Sequence, residues 1–343
     1  MSLDLLITPE NVKSVALRLD NADLAFVVYG DKLLAGPYFT EEERQYVLAN
    51  HPIAVLPIGR VRGAVDGQIL SMFASPQEMS GGSNSTLHRH LMLFTRIGEL
   101  IAKPGHEHSF RVGYAGQTPA YVSRTRTPTD PSYIDGLTGS LATCLISIRY
   151  MLDNVVGVPL EEAILGFYGM GTIGGRMHGF MAREGAKLAV GYDPRFAGRD
   201  RTRENRRYSG DPASLAECDI ILNAAPSGND IMPAISYLKT GVVIACETHP
   251  RGNRVTMEAI LSRGSLYMVG VQWPGVFIEP AFPGRIPEEI PGCLLETIAV
   301  ERLSLQTRDV HRFVEEVAHP RVGVAYLEQK VTPENLGFYA LDT

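Results

Sequence analysis

The residues Gly169-Met170-Gly171-Thr172-Ile173-Gly174 have the types and spacing needed to hold a pyrophosphate. Such an anion is bound by backbone N–H groups at the start of a helix, where the helix dipole favours negative charge. Glycine is needed because a Cβ would keep the backbone away from the phosphates. Alone, Gly-x-Gly-x-x-Gly is a weak signal. Here it directly follows an apolar run, Ile164 to Tyr168, that reads as a buried strand, and it opens a segment to about Glu184 that reads as a helix. That context is the one a Rossmann dinucleotide site requires. Gly169 and Gly171 would supply the turn and the close approach, and Gly174 would let the helix pack on the sheet.

Asp193 stands at the end of the next apolar run, Lys187 to Tyr192, 19 residues beyond Gly174. An acid there accepts hydrogen bonds from the ribose hydroxyls and repels a 2′-phosphate, which favours NAD. Arg195 and Arg199 point the other way, because guanidinium groups can hold a 2′-phosphate. The expected cofactor is therefore NAD(P)H, with Asp193 favouring NAD. Ala225-Pro226-Ser227-Gly228 follows a third apolar run and is placed to line the cofactor. The competing reading is a glycine-rich turn in a non-nucleotide α/β domain, with Asp193 as a turn former before Pro194.

A second group of residues could carry chemistry. Ile290-Pro291-Gly292-Cys293 reads as a loop ending at a helix start, which would place Cys293 in the first turn, where the dipole stabilises a thiolate. Glu296, one turn on, would share its side of the helix and could carry a proton, although a carboxylate nearby also raises a thiol pKa. The alternative for Cys293 is a buried, inert thiol. His249 follows an apolar run, Val242 to Ala245, at a strand end that faces the ligand crevice of an open α/β sheet, so it is a candidate acid–base partner. An exposed loop histidine is the competing reading. His88 with His90 and His106 with His108 could ligate a metal, but no third ligand is indicated by spacing and no metal is expected. Tyr121, Arg124 and Arg126 lie in a segment rich in Thr, Pro, Arg and Ser, where they could contact an anionic substrate or be solvated.

These residues need a scaffold. The 343 residues suggest two domains, and 45% hydrophobic residues supply a core for each. Strand-like runs at Phe26–Tyr29 and Ile53–Ile58, and an apolar stripe at Leu87, Leu91, Phe94, Ile97 and Ile101, point to a mixed α/β substrate domain over residues 1–137. From residue 138 to 306, alternating strand and helix patterns predict a Rossmann-like parallel sheet with five strands. Residues 274–292 read as a Pro- and Gly-rich loop. Residues 307–343 are expected to pack back on the first domain. The fold class is thus α/β. The net charge of −6, with acids and bases both spread along the chain, argues against nucleic acid as a partner. The absence of a long apolar run argues against a membrane span. Four scattered cysteines without a Cys-x-x-Cys pair, and no basic region before the first apolar stretch, fit a cytoplasmic location. A homo-oligomer is left open.

With these pieces placed, the chain resembles the long-chain acyl-[acyl-carrier protein] reductases over residues 60–302. Gly67 to Met79 is similar to that family's Gly-x-x-x-x-x-Phe-x-Pro-Glu-Met stretch with one residue inserted. Thr138-Gly139-Ser140-Leu141-Ala142-Thr143 is similar to its Thr-Gly-Asn-x-x-Thr helix start, and Cys293-Leu294-Leu295-Glu296 to its Cys-x-x-Glu. The resemblance implies that Cys293 takes up an acyl group from a thioester, that the nicotinamide reduces it, and that an aldehyde leaves. It implies a carrier-bound acyl substrate and a preference for NADPH. Two other readings stand beside it. One is a dehydrogenase of a small hydroxy or amino acid without covalent catalysis. The other is a nucleotide-binding redox sensor without turnover.

Overall fold

The computed structural model describes residues 6–29, 40–72, 84–105, 110–115, 133–248 and 250–340. The chain forms two compact units, each discontinuous in sequence. One comprises Met1–Gly139 with Trp273–Gly323, the other Ser140–Gln272 with Val324–Thr343. This corrects the continuous division at residues 137 and 306. It also divides the C-terminal segment, which sends residues 307–323 to the first unit and the remainder to the second.

The strands, in chain order, are β1 (Leu24–Tyr29), β2 (Val55–Gly63), β3 (Gly67–Met72), β4 (Arg111–Tyr114), β5 (Tyr133–Ile134), β6 (Ile164–Tyr168), β7 (Leu188–Tyr192), β8 (Arg201–Arg203), β9 (Arg206–Ser209), β10 (Ile220–Asn223), β11 (Val242–Cys246), β12 (Gly264–Met268), β13 (Val271–Gln272), β14 (Val276–Glu279), β15 (Ala325–Tyr326) and β16 (Lys330–Val331).

The first unit is built on a mixed sheet in the order β14-β2-β3-β1-β4-β5. β3, β1, β4 and β5 run parallel, while β2 and β14 are antiparallel to their neighbours. Part of the expected 274–292 loop is therefore the edge strand β14. The helix Asn84–Ile101 buries the predicted stripe of Leu91, Phe94, Ile97 and Ile101 against this sheet's core. The helix Glu41–Asn50 is opened by a capping box, in which Glu43 N donates to Thr40 Oγ1 and Thr40 N donates to the Glu43 carboxylate. The helix Gly292–Leu303 lies tightly on β4, where a Cβ on Gly113 would fall 1.9 Å from Thr297 Oγ1.

The second unit carries a sheet in the order β16-β12-β11-β10-β6-β7-β9-β8. The six strands β9, β7, β6, β10, β11 and β12 are mutually parallel. Numbered by their sequence within the unit, they run 3-2-1-4-5-6, the order of a Rossmann dinucleotide fold. β8 and β16 add an antiparallel strand at either edge. β6, β10 and β11 are apolar because helices cover both faces of a parallel sheet. The third parallel strand, β9, was not expected from the sequence. Its residues Arg206-Arg207-Tyr208-Ser209 carry no apolar run, as befits a position near the sheet's edge.

Among the described residues, no helix is long and apolar enough to cross a membrane.

Candidate functional site

In a 3-2-1-4-5-6 sheet the strand order reverses beside the first strand, and the crevice at the carboxyl ends of the strands there takes the ligand. β6 is that strand, with β7 on one side and β10 on the other. The glycine loop begins where β6 ends. Gly169 N donates to Tyr192 O at 3.0 Å, and its φ of +90° is one that side chains rarely adopt. A Cβ on Gly169 would lie 2.9 Å from the Ala225 backbone, so the loop after β6 and the loop after β10 are in contact.

Gly171 is the N-cap of the helix Thr172–Arg183, with no side-chain cap and no acid in the first turn. A Cβ built on Gly171 meets nothing within 4 Å. Gly174 is the opposite case, because its Cβ would sit 1.9 Å from Gly169 O. The loop therefore presents an uncapped helix start beside open space that a side chain at Gly171 would fill. Those two properties fit a pyrophosphate.

Asp193 is nearly buried at the end of β7. Its Oδ1 accepts from Arg195 N at 3.0 Å and Arg195 Nε at 2.8 Å. Its Oδ2 accepts from Arg195 Nη2 at 2.7 Å and from Met170 N at 3.1 Å. The Arg195 side chain holds this carboxyl below the usual range, opposed by burial and assisted by the backbone donors of Arg195 and Met170. Asp193 thus ties the second residue of the glycine loop to the end of β7. Arg195 is largely exposed and also reaches Met170 O at 3.3 Å. The Asp193–Arg195 clamp was not anticipated. Its only trace in sequence is the Asp-Pro-Arg spacing.

The loops after β10 and β11 continue this crest. Asn223 Oδ1 accepts from Ala225 N at 3.4 Å, and Pro226 is exposed beside it. Gly228 N donates to Pro250 O at 3.0 Å, and a Cβ on Gly228 would fall 2.1 Å from Gly252 N. Asn229 Oδ1 accepts from Asn253 N at 2.8 Å and from Thr256 Oγ1 at 2.9 Å. Arg251 on the third loop is buried, with its guanidinium 5.4 Å from the centre of the Tyr339 ring. Reasoning from sequence passed over Arg251. His249 lies outside the described residues, as do Tyr121, Arg124 and Arg126.

Cys293 and Glu296 belong to the first unit. Cys293 is half-buried in the first turn of its helix, whose start has no side-chain cap. Gly136 packs against it so closely that a Cβ there would lie 2.4 Å from Cys293 Cβ. The buried Glu296 carboxylate accepts from Gly139 N at 3.0 Å, at the start of the helix Leu137–Met151. Burial raises its pKa, with Asp135 adding to the effect, while the Gly139 and Thr138 backbone bonds and Arg308 lower it. Glu296 thus acts as a helix cap supplied from a distant part of the chain. His90 is buried and stacks on Phe94 with ring centres 6.3 Å apart. Among the described residues, no cluster of His, Cys, Asp or Glu could hold a metal.

No family model matches the chain, and no curated protein matches it. Solved structures do. A D-isomer specific 2-hydroxyacid dehydrogenase family protein from Klebsiella pneumoniae 342 is 13% identical over 85% of this chain and 99% of its own, with a TM-score of 0.35. D-lactate dehydrogenase with NAD+ from Lactobacillus jensenii is 12% identical over 71% of this chain and 79% of its own, with a TM-score of 0.32. An NADPH-dependent glyoxylate/hydroxypyruvate reductase from Sinorhizobium meliloti is 15% identical over 34% of this chain and 54% of its own, with a TM-score of 0.28. The chain spans about half the length of that last protein. The Rossmann assignment rests on the chain's own strand order. The resemblance to acyl-[acyl-carrier protein] reductases is corrected here. The similar structures named above are two dehydrogenases and a glyoxylate/hydroxypyruvate reductase and none is an acyl reductase, and the carrier-bound acyl partner is withdrawn with it.

Proposed function

We propose that the chain is an oxidoreductase that uses a nicotinamide dinucleotide and acts on a small hydroxy or amino acid. One observation carries the first part: the glycine loop stands at the reversal of a 3-2-1-4-5-6 sheet, with an uncapped helix start and open space at Gly171. The backbone N–H groups of Thr172 and Ile173 would hold the pyrophosphate, and Asp193 and Arg195 would face the adenosine ribose. Ala225 and Pro226 would flank the bound dinucleotide. When bound, the nicotinamide supplies or accepts the hydride.

The substrate class is supported by Arg251. A small acid needs a fixed cation for its carboxylate, and Arg251 is a buried guanidinium on the crest formed by the strand-end loops. His249, two residues earlier in the chain, is the proposed proton carrier for the carbinol or amine.

The test has two stages. Calorimetry should detect binding of NADH or NADPH to the purified chain, and loss of that binding in Gly171→Ala. Near-ultraviolet absorbance of the reduced nicotinamide should then report turnover with a panel of 2-oxo acids, with and without ammonium. Absence of dinucleotide binding sinks the proposal. Binding without turnover across the panel would favour a nucleotide-binding sensor. Arg251→Met should raise KM for the acid more than it changes dinucleotide affinity.

A further inference from the structure

Asp193 stands where an acid would accept hydrogen bonds from a ribose diol. An ionised carboxylate offers about four lone-pair sites. In this structure they are filled. Oδ1 takes two donors from Arg195, its backbone N and Nε, and Oδ2 takes Nη2 of Arg195 and the N–H of Met170. The Met170 bond is part of the glycine loop, and the Arg195 N bond is part of the short turn that opens at Asp193. Neither can leave without disturbing the site. The two side-chain bonds of Arg195 can leave, because that side chain is 70% exposed and beyond this fork its one further bond is the long contact of Nη2 with Met170 O at 3.3 Å.

We propose that Arg195 sets the coenzyme preference, by withholding Asp193 from an unmodified ribose and by offering its guanidinium to a ribose phosphate. The inference rests on the nicotinamide-dinucleotide reading above. A 2′-hydroxyl can reach Asp193 only by displacing charge-assisted bonds from the guanidinium, and it returns a weaker neutral donor. A 2′-phosphate instead gives the displaced guanidinium a new anionic partner, in the planar geometry that arginine fits. Asp200, an acid further along the same segment, is already engaged with Ser209 Oγ at 2.9 Å and Gly210 N at 3.0 Å. It therefore does not compete for Arg195. Arg195 acts here as a specificity residue that touches the coenzyme, and Asp193 as its counterweight.

The experiment measures Kd for NADH and NADPH by calorimetry on the full chain, on Arg195→Ala, and on Arg195→Ala with Asp193→Asn. Arg195 is exposed, so its removal should leave folding intact, and circular dichroism checks this. In Arg195→Ala the NADH-to-NADPH Kd ratio should fall by about tenfold or more, because one hydrogen bond to a charged group is gained with NADH and one is lost with NADPH. Adding Asp193→Asn should cancel the gain for NADH, and by removing the charge that repels a 2′-phosphate it should return part of the NADPH affinity lost in Arg195→Ala. A ratio that stays unchanged in Arg195→Ala, or moves towards NADPH, overturns the role of Arg195 while leaving dinucleotide binding in place. If neither dinucleotide binds any of the three proteins, the parent reading fails and takes this inference with it.

Discussion

Two alanine substitutions in one loop should separate folding from ligand binding. Gly171 has a φ of −74°, which any residue adopts, and its Cβ would meet nothing within 4 Å. Alanine is a poorer N-cap than glycine, but it also restricts the unfolded chain, which favours folding by about 0.4–1 kcal/mol. The net change in stability should stay within about 1 kcal/mol. Binding should respond quite differently. The new methyl occupies the space the phosphates would use, and each hydrogen bond to a charged group lost is worth about 1.5–3 kcal/mol, or roughly tenfold or more in Kd. Gly174→Ala should do the reverse first. Its methyl would lie 1.9 Å from Gly169 O, a backbone atom with no room to yield, so the helix must move off the strand. Overpacking of this kind costs about 1–3 kcal/mol, at about 2–4 °C of melting temperature per kcal/mol for a unit of this size. Differential scanning calorimetry gives the stability and titration calorimetry the affinity. Gly171→Ala with undiminished dinucleotide affinity would mean that the pyrophosphate does not approach that backbone. Gly174→Ala with an unchanged melting temperature would refute the packing argument.

Three further predictions concern buried titratable groups. His178 is fully buried, with Nε2 at 3.1 Å from Ala189 O and 3.2 Å from Arg207 O and no hydrogen-bond partner for Nδ1 among the described residues, and burial pushes its pKa down. Its contribution to stability is full above the ordinary histidine pKa and is lost as pH falls through the lowered folded value. The urea midpoint should therefore drop between about pH 7 and pH 5, and His178→Gln should flatten that dependence. Glu296 is the opposite case, with a folded pKa raised chiefly by burial, so its contribution is greatest at acid pH and declines as pH rises through the raised value. Urea denaturation at neutral pH should find Glu296→Gln at least as stable as the parent. Glu296→Ala should lose about 1–3 kcal/mol, because the Gly139 N–H loses its acceptor. Burial pushes the Cys218 thiol up to about 12 and raises Cys144 as well, whereas Cys293 is half-buried. Iodoacetamide on native protein, read by mass spectrometry, should modify Cys293 first and reach Cys144 and Cys218 only in urea. Early labelling of either buried thiol would contradict the packing described for it.

What was legible in the sequence follows from how local each signal is. The glycine loop needs only a strand before it and a helix after it, all within residues 164–183, so it could be read directly. β9 could not, because a strand near the edge of the sheet needs no apolar run, and Arg206-Arg207 looks like solvated loop. β14 was hidden among prolines and glycines, since its identity comes from pairing with β2, whose residues lie more than 200 positions earlier. The same distance explains Glu296. Its place one turn after Cys293 suggested a proton carrier, yet its carboxylate meets Gly139, a contact of sequence separation 157 that no spacing rule reports.

Asp193 sits between these cases. Its place after β7 was readable, and so was the conflict with Arg195. What decides the conflict is how many lone pairs Asp193 still has to give. Arg195 takes three of the donor positions around that carboxylate, one from its backbone and two from its side chain. Only the side-chain pair can be withdrawn, so a ligand that needs this carboxylate must first displace one exposed guanidinium. Sequence places an acid and a base at the end of β7. The hydrogen bonds between them determine which of the two a ligand can reach.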